Sequence, residues 1–345
     1  MCGEEITEEE FAEEYEHLLP FFERVDGLGR RVSYFEALTA LAYVWFADKP
    51  VGLGVFEVGM GGTWDATNLI RGDVAVLCPV GLDHKELGST VGQVATEKAG
   101  IVKEGKIAIV REQRPEALQV IEARCREVSA TLLLEEKDFQ LEARSSGVGG
   151  QVVTVRGLHS TYEEVFLPLF GEQLARNAAV AMVACEALLD RALDERSVRS
   201  ALESATSPGR LEVVGRQPLV LLDGAHNPDA ATALVDALTE AFSRQRLLLV
   251  IAMFGDKEVE TVTGILGPLA DSAYVCENSS SRSAPVARVA AGLEAAGTTD
   301  VRPYPNVAEA VLAARAAAGE DDLILVTGSF YTVADARPLF IASSP

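Results

Sequence analysis

The sequence predicts an α/β protein with two domains, each built around a parallel sheet. The chain has 345 residues, which exceeds the length at which a single hydrophobic core usually stops growing. Short apolar runs typical of buried strands alternate with helical patterns along most of the chain. The cluster Thr206-Ser207-Pro208-Gly209 interrupts this alternation. We therefore expect one domain over residues 1–206 and a second over residues 207–345.

The N-terminal residues predict two helices and then two strands. Thr7 with Glu10 three residues later is the pattern of a capping box, which begins a helix. Ser33 is expected to cap a second helix in the same way. The apolar run 53–56 ends in Glu57 and a glycine-rich turn, and the run 74–80 ends in Gly81-Leu82-Asp83-His84, so we predict that both are buried strands.

The remainder of the first domain continues the alternation and then departs from it. Strands are expected over 106–110 and 130–135, with helices over 91–99 and 115–128. Residues 139–169 contain short alternating runs, which predict antiparallel hairpins. Two more helices are predicted to complete the domain, over 172–189 and 195–205.

The second domain is predicted to hold four strands separated by helical segments. These strands are expected over residues 219–222, 247–252, 273–276 and 323–326. Strands and helices at this spacing favour a second parallel sheet with helices on its faces.

Composition excludes several classes of function. The net charge of −22 disfavours nucleic acid or an anionic membrane as a partner, because both bind clustered Lys and Arg. No apolar run approaches the roughly 18 residues that span a bilayer, and a cytoplasmic protein is expected. The five cysteines show no C-x-x-C spacing, so we predict that they are reduced and mostly buried.

Glu57 and His84 are the candidate metal ligands. Each follows one of the first two predicted strands, and ligand chemistry in open α/β sheets collects at strand ends. Carboxylate and imidazole are both acceptable ligands for Mg²⁺ or Mn²⁺. The alternative is that the acid only caps a helix.

Four polar residues elsewhere have structural interpretations from sequence alone that compete with any functional role. Lys98 ends a predicted helix, where a cation complements the helix dipole. Asp223 follows a predicted strand and could be a capping residue, and Arg210 could form a surface ion pair. Asn177 lies four residues after Gln173, so the two amides could read one edge of a base or simply be solvated.

The motifs together resemble the folylpolyglutamate synthase/dihydrofolate synthase family, which are ATP-dependent amide ligases of the Mur ligase superfamily. The matching segments occur in the family's order over essentially the whole chain. They are Ser33-Tyr34-Phe35-Glu36-Ala37-Leu38-Thr39-Ala40, Glu57-Val58-Gly59-Met60-Gly61-Gly62-Thr63-Trp64-Asp65-Ala66-Thr67-Asn68, Asp83-His84, Thr96-Glu97-Lys98-Ala99-Gly100-Ile101, Pro208-Gly209-Arg210, Asp223-Gly224-Ala225-His226-Asn227-Pro228 and Gly328-Ser329-Phe330-Tyr331.

The resemblance implies a fold and a reaction. The fold is a Mur-ligase-like ATPase domain with a parallel sheet, followed by a C-terminal Rossmann-like domain. The reaction is the addition of L-glutamate to folate or dihydropteroate, in which ATP activates a carboxylate as an acyl phosphate. The implied partners are these small molecules alone, without nucleic acid or membrane, and a monomer is expected.

The resemblance also implies a role for each candidate residue. Mg²⁺ would be held by Glu57 and His84, and a carbamylated Lys98 would support it. Nucleotide contacts fall to Asn177, Arg210 and Asp223, while His226 lies near the reacting groups. The pteroate would be bound by Ser33, Tyr34, Phe35, Glu36, Trp64, Asp65 and Ala66, where the aromatic rings suit stacking on a pterin.

The family begins with a strand, a phosphate-binding P-loop and a helix that have no counterpart in the printed sequence. The nearest match, Gly100 to Ile107, fails at the position of the Mg²⁺-binding hydroxyl and precedes a strand instead of following one. We expect either a truncated chain or a protein that lost this cradle, with an exposed sheet edge. The rival functions are a Mur-type ligase with another carboxylate substrate and a non-catalytic remnant that binds a ligand or partner.

Overall fold

A computed structural model of the chain describes residues 3–49, 51–82 and 85–341. The chain divides into two compact units, residues 1–135 with one sheet and residues 136–345 with two. This division precedes the expected domain boundary, because the antiparallel hairpins and the helix after them belong to the second unit. The domain boundary at residue 206 stays a prediction.

Unit 1 begins with two helices, α1 (Glu8–Asp26) and α2 (Tyr34–Asp48). Both start with the predicted capping boxes. The Thr7 hydroxyl accepts from the Glu10 N–H, and the Ser33 hydroxyl accepts from the Glu36 N–H. In each case the glutamate accepts in turn from the N–H of the capping residue.

A three-stranded parallel sheet forms the rest of unit 1. Its strands are β1 (Val74–Leu77), β2 (Ile107–Val110) and β3 (Thr131–Leu134), in that order across the sheet. The connections are α3 (Val91–Ala99) and α4 (Pro115–Glu127). Strand and helix side chains share one buried cluster that includes Ala108, Val110, Ile121 and Cys125. All three strands and both helices were predicted.

The strand predicted over residues 53–56 is wrong. The segment belongs to no sheet, and the side chains of Leu53 and Val55 are 59% and 87% exposed. Phe56 instead stacks on Tyr43 of α2, with ring centroids 5.6 Å apart. A strand requires a hydrogen-bonded partner, and no described residue pairs with this segment.

Unit 2 opens with an antiparallel sheet of three strands in the order β4-β5-β6, as the alternating runs predicted. The strands are β4 (Gln140–Gly147), β5 (Gly150–Arg156) and β6 (Thr161–Leu167). Helices α5 (Glu172–Leu189) and α6 (Glu195–Glu203) follow. They bury an apolar face against the sheet, in a cluster that includes Val155 and Val165.

A fully buried carboxylate joins these elements. Glu186 of α5 is 0% exposed and accepts hydrogen bonds from the N–H of Leu158 (2.5 Å) and the hydroxyl of Tyr162 (2.7 Å). The Tyr162 oxygen accepts in turn from the N–H of Leu193. Burial and the bond to Glu186 raise the pKa of Tyr162 to about 12, so the phenol stays protonated and donates.

The second sheet of unit 2 has six strands in the order β11-β10-β9-β12-β8-β7. All are parallel except β7, which pairs antiparallel with β8 at one edge. The strands are β7 (Glu212–Arg216), β8 (Leu219–Leu222), β9 (Leu247–Ile251), β10 (Ser272–Val275), β11 (Val301–Pro303) and β12 (Leu323–Thr327). The helices are α7 (Pro228–Ala241), α8 (Val259–Leu266), α9 (Val286–Ala295), α10 (Val307–Ala317) and α11 (Phe330–Ala336).

The four central strands of this sheet match the prediction, whereas the two edge strands were missed. β7 contains Gly215 and β11 ends in Pro303, and both residues weaken a strand pattern. Buried side chains cover both faces of the central strands. This is the doubly covered parallel sheet that the apolar runs predicted.

Predictions from the sequence also concerned membrane-spanning segments and the state of the cysteines. Among the described residues, no helix combines the length and apolar character needed to cross a lipid bilayer. The described cysteines are free thiols; Cys125 and Cys276 are buried as predicted, but Cys78 and Cys185 reach the surface.

Candidate functional site

The glycine-rich loop of unit 1, residues 57–65, contacts the last turn of α3. The Thr63 N–H and hydroxyl both donate to the Glu97 carbonyl, at 2.9 and 3.2 Å. A Cβ atom placed on Gly62 would lie 2.5 Å from the same carbonyl oxygen and 2.9 Å from that of Lys98. Because a side chain cannot fit there, glycine at 62 allows the loop to reach the helix.

Asp65 organises the turn that follows. Its carboxylate accepts from the Met60 N–H (2.9 Å), the Thr67 N–H (3.0 Å) and the Thr67 hydroxyl (2.6 Å). Burial acts to raise the pKa of Asp65, but the hydrogen bonds from Thr67 and Met60 outweigh it, and the pKa lies below its ordinary value. The predicted pteroate ligand Asp65 therefore already holds its own loop.

This lowered pKa predicts a response of the loop to acid. A carboxylate whose pKa falls on folding stabilises the folded state above its ordinary pKa, and this stabilisation is lost as pH falls through the folded value. We expect Trp64 fluorescence to report loosening of the turn below about pH 4. Asp65→Asn should remove this acid step, while Asp73→Asn, at an exposed ion pair with Lys106, should retain it. An identical step in wild type and Asp65→Asn would contradict the assignment.

The aromatic residues of the predicted pteroate site are exposed to different degrees. Tyr34 and Trp64 are 81% and 88% exposed, whereas the Phe35 ring lies against Gly59, where an added Cβ would be 2.4 Å from it. Ala66 accepts at its carbonyl from the Tyr43 hydroxyl at 3.3 Å. Tyr34 and Trp64 are thus available for stacking, and Phe35 is partly engaged in packing.

Ser33 and Glu36 have a structural role that the sequence also predicted. Both side chains form the capping box of α2, and their mutual hydrogen bonds lower the pKa of Glu36. Their assignment to the pteroate stays a prediction.

Glu57 and Lys98 both influence the pKa of the thiol of Cys78, the residue directly after β1. Desolvation raises the pKa of the Cys78 thiol, the positive charge of Lys98 opposes the shift, and the negative charge of Glu57 reinforces it. Both side chains are therefore within electrostatic range of one thiol. The Glu57 carboxylate is exposed, and Lys98 is half-buried without a hydrogen bond or ion pair to any described residue.

The predicted metal ligand His84, like Asp83, lies outside the described residues. Within 3–49, 51–82 and 85–341, no three His, Cys, Asp or Glu side chains are grouped closely enough to hold one metal ion. The metal role of Glu57 and His84 stays a prediction.

In unit 2, Asp223 and His226 follow the carboxyl end of β8, Arg210 lies in the loop before β7, and Asn177 lies on α5. Asp223 is buried, and its two oxygens accept from the N–H groups of Leu211 (2.9 Å) and Ala225 (2.8 Å). The Gly224 N–H donates to the Gly209 carbonyl at 2.8 Å. Burial raises the pKa of Asp223, against these hydrogen bonds and the charge of Arg210. Asp223 thus ties the Pro-Gly-Arg loop to the end of β8.

Arg210 projects from this loop without an acidic partner. Its guanidinium carbon lies 4.6 Å from the centroid of the Phe330 ring, and no described carboxylate forms an ion pair with it. It also lines a cavity of about 1080 Å³ within unit 2, which has room for a ligand. The His226 ring, two residues after Gly224, contacts the Gly224 carbonyl through Nδ1 at 2.9 Å.

Asn177 occupies an exposed position on α5, one turn after Gln173 as predicted. Sequence reasoning missed Phe330 as a contact of Arg210, and Gly62 as the point of close approach. Both residues belong to the motifs quoted above, but the residues that they contact lie far away in the chain. The motifs alone therefore do not indicate these contacts.

Comparison with known proteins gives two matching family models. Residues 30–185 match the Mur ligase middle domain, and residues 209–330 match the Mur ligase glutamate ligase domain. The dihydrofolate synthase/folylpolyglutamate synthase of Mycobacterium tuberculosis is 36% identical over 98% of this chain and 76% of its own length.

Solved structures give the same result. Mycobacterium tuberculosis folylpolyglutamate synthase complexed with ADP superposes with a TM-score of 0.93 at 35% identity, covering 99% of this chain and 80% of that one. E. coli FolC in complex with DHPP and ADP gives a TM-score of 0.85 at 31% identity, covering 98% and 77%.

Proposed function

Since this chain belongs to the dihydrofolate synthase/folylpolyglutamate synthase family of Mur ligases, we propose that it adds L-glutamate to folate or dihydropteroate at the residues described above. It is an ATP-dependent carboxylate–amine ligase. The observation that carries the proposal is the similarity to the M. tuberculosis relative over 98% of the chain, which includes every candidate residue. The two family matches also leave the expected domain boundary near residue 206 between them, which supports that boundary.

The reaction proceeds in two steps, phosphoryl transfer and amide formation. A carboxylate oxygen of the acceptor bonds to the γ-phosphorus of ATP, and the bond to ADP breaks. The amine of L-glutamate then attacks the acyl carbon, and phosphate leaves with the formation of an amide and the loss of a proton. Both steps concentrate negative charge on phosphate oxygens, which a guanidinium stabilises well because its donors match their geometry.

The residues of unit 2 supply the nucleotide contacts in this proposal. Arg210 binds phosphate oxygens, since its guanidinium has no carboxylate partner in the described part of the chain. Asp223 holds the Arg210 loop through two backbone N–H groups. Asn177 contacts the adenine, and His226 lies near the reacting groups.

The residues of unit 1 supply the acceptor and metal sites. Tyr34 and Trp64 have exposed rings for a pterin, and Asp65 fixes the turn that presents Trp64. The exposed carboxylate of Glu57 is a hard oxygen ligand that fits Mg²⁺, with His84 as the second predicted ligand. Bound Mg²⁺ would neutralise phosphate charge. Phe35, Ser33, Glu36 and Ala66 complete the acceptor site.

Carbamylation of Lys98 is a separate part of the proposal. The amine has no partner in the described part of the chain, so it is available to CO₂, and the product would be an anion that supports a metal. Intact mass at high bicarbonate should show the addition of one CO₂, which Lys98→Arg abolishes. An unmodified amine under these conditions would contradict carbamylation. A cytoplasmic location and a monomeric state stay predictions.

The decisive assay follows labelled L-glutamate into product with ATP and Mg²⁺. Tetrahydrofolate and dihydropteroate are offered separately, which identifies the acceptor. We expect Arg210→Ala to lower the rate about 100-fold, because a charge-assisted phosphate contact is lost. Arg191→Ala is the matched control, since this exposed arginine follows α5 in unit 2, does not line the cavity and should leave the rate unchanged. Equal rates in both variants, or no product with either acceptor, would contradict the proposal.

A further inference from the structure

The Arg210 guanidinium forms no ion pair with a described carboxylate, although the chain is rich in carboxylates. The protein carries 52 Asp and Glu residues against 30 Lys and Arg, so an arginine is expected to find an acid. Of the other three arginines that lie over a ring in the described residues, two pair with an acid, whereas Arg315 over Phe340 forms no ion pair there. Arg282 lies over Phe254 and pairs with Asp256, and Arg302 lies over Tyr274 and pairs with Asp300.

The acids near Arg210 are already committed to other groups. Glu212 pairs with Arg337 at 3.0 Å and accepts from the Gly209 N–H at 2.9 Å. Asp223 accepts from two backbone N–H groups and forms no ion pair with Arg210 within the described residues. These two carboxylates therefore hold the Arg210 loop in place. The Arg210 guanidinium keeps a positive charge that no described carboxylate neutralises, and its N–H groups can donate to a ligand.

Phe330 is held where it supports the guanidinium. Its ring fits against two glycines, because a Cβ placed on Gly224 would lie 2.9 Å from it and one on Gly209 would lie 3.3 Å from it. The ring is also anchored from behind, since the preceding Ser329 caps α11 and accepts from the buried Asn278 amide at 3.1 Å. Three separate loops thus meet around one aromatic ring.

We propose that Phe330 is a positioning residue that orients the Arg210 guanidinium for phosphate by stacking, and leaves its N–H donors free. This inference rests on the proposed function, in which Arg210 binds the nucleotide phosphates. An aromatic face attracts a cation through its quadrupole without accepting the in-plane N–H groups. A carboxylate in the same place would neutralise the charge and occupy the donors.

Graded fluorination of the ring tests the proposal with little change of shape. Phe330 is replaced by 4-fluoro- and by 3,4,5-trifluorophenylalanine, which withdraw electron density from the ring face. We expect the affinity for Mg²⁺-ADP, measured by calorimetry, to fall stepwise to about 3- to 10-fold below wild type. A purely structural ring would leave the affinity unchanged across the series, and that result would overturn the inference.

A double-mutant cycle tests whether the effect passes through Arg210. Phe330→Leu should weaken ADP about 3- to 10-fold in the wild-type background and by less than about 1.5-fold when Arg210 is alanine. Phe340→Leu, which removes a ring under Arg315 elsewhere in unit 2, should leave ADP affinity unchanged. Equal effects of Phe330→Leu in both backgrounds would overturn the inference.

Measurements of ADP affinity distinguish the phosphate-binding role of Arg210 from the positioning role of Phe330. Unchanged ADP affinity in Arg210→Ala would overturn the phosphate role of Arg210, and with it the role of Phe330. Weakened ADP binding in Arg210→Ala together with a flat fluorination series would overturn the role of Phe330 alone. Upfield ring-current shifts of the Arg210 side-chain protons, lost in Phe330→Leu, provide a readout that does not involve nucleotide.

Discussion

Gly62→Ala is expected to lower the free energy of unfolding by about 2–4 kcal/mol and to reduce glutamate ligation at least about 100-fold. The added methyl would lie 2.5 Å from the Glu97 carbonyl oxygen and 2.9 Å from the Lys98 carbonyl oxygen. Both atoms belong to the backbone of α3, which cannot turn aside as a flexible side chain can. The loop must therefore move away from the helix.

This displacement affects the proposed site because the loop connects its parts. Glu57 precedes Gly62 in the loop, Asp65 follows it, and Lys98 lies on the helix that the loop contacts. We expect Gly62→Ala to break the hydrogen bonds from Thr63 to the Glu97 carbonyl and to displace from α3 the loop that carries Glu57 and Asp65. Thermal unfolding and the labelled-glutamate assay would measure the two effects.

Gly92→Ala is the matched control for this substitution. Gly92 lies in the same helix, but a Cβ there meets only a Val120 methyl at 4.0 Å. Alanine also favours a helix interior over glycine by roughly 1 kcal/mol. We expect Gly92→Ala to be neutral or stabilising with full activity. Similar behaviour of the two variants would show that the close approach at Gly62 is unimportant.

Glu186→Leu is expected to destabilise unit 2 by about 3–5 kcal/mol. The substitution preserves the approximate size of the side chain and removes every acceptor. The buried Tyr162 hydroxyl and the N–H groups of Leu158 and His159, which lie nearer the surface, would then lose their present acceptor. Each unsatisfied donor costs about 1–3 kcal/mol, partly recovered where water enters.

Glu186→Gln separates the loss of charge from the loss of acceptors. Glutamine keeps one acceptor oxygen, so we expect an intermediate loss of about 1–3 kcal/mol by denaturant unfolding. Glu203→Gln, on the exposed end of α6, should change stability by less than about 0.5 kcal/mol. If Glu186→Gln and Glu203→Gln unfold alike, the buried network does not stabilise the fold.

Much of the architecture could be predicted from local patterns. The capping boxes at Thr7 and Ser33, α3 and α5 follow from a few neighbouring residues each. The central strands of the six-stranded sheet could be predicted because both of their faces are buried, which requires continuous apolar runs.

The features that could not be predicted share one physical cause, because each depends on contact with residues that are distant in the sequence. Residues 53–56 have the composition of a strand, yet a strand exists only where another pairs with it. The Phe330 ring is placed under Arg210 by an approach of segments about 120 residues apart in the chain, through glycines whose small size matters only there. The sequence could indicate Arg210, Asp223 and Gly62 as candidates without indicating their contacts.

The open side of the first sheet has a practical consequence for handling the protein. β1 pairs with β2 on one side and with no described strand on the other, and the apolar side chains of Leu53 and Val55 are exposed. Such an edge can recruit a second molecule, while a net charge of −22 keeps molecules apart at neutral pH. Colloidal repulsion therefore limits self-association. This repulsion weakens in concentrated salt and vanishes near the isoelectric point of about 4.6. Concentrated solutions should therefore stay free of aggregates longest in mildly alkaline buffers of low salt.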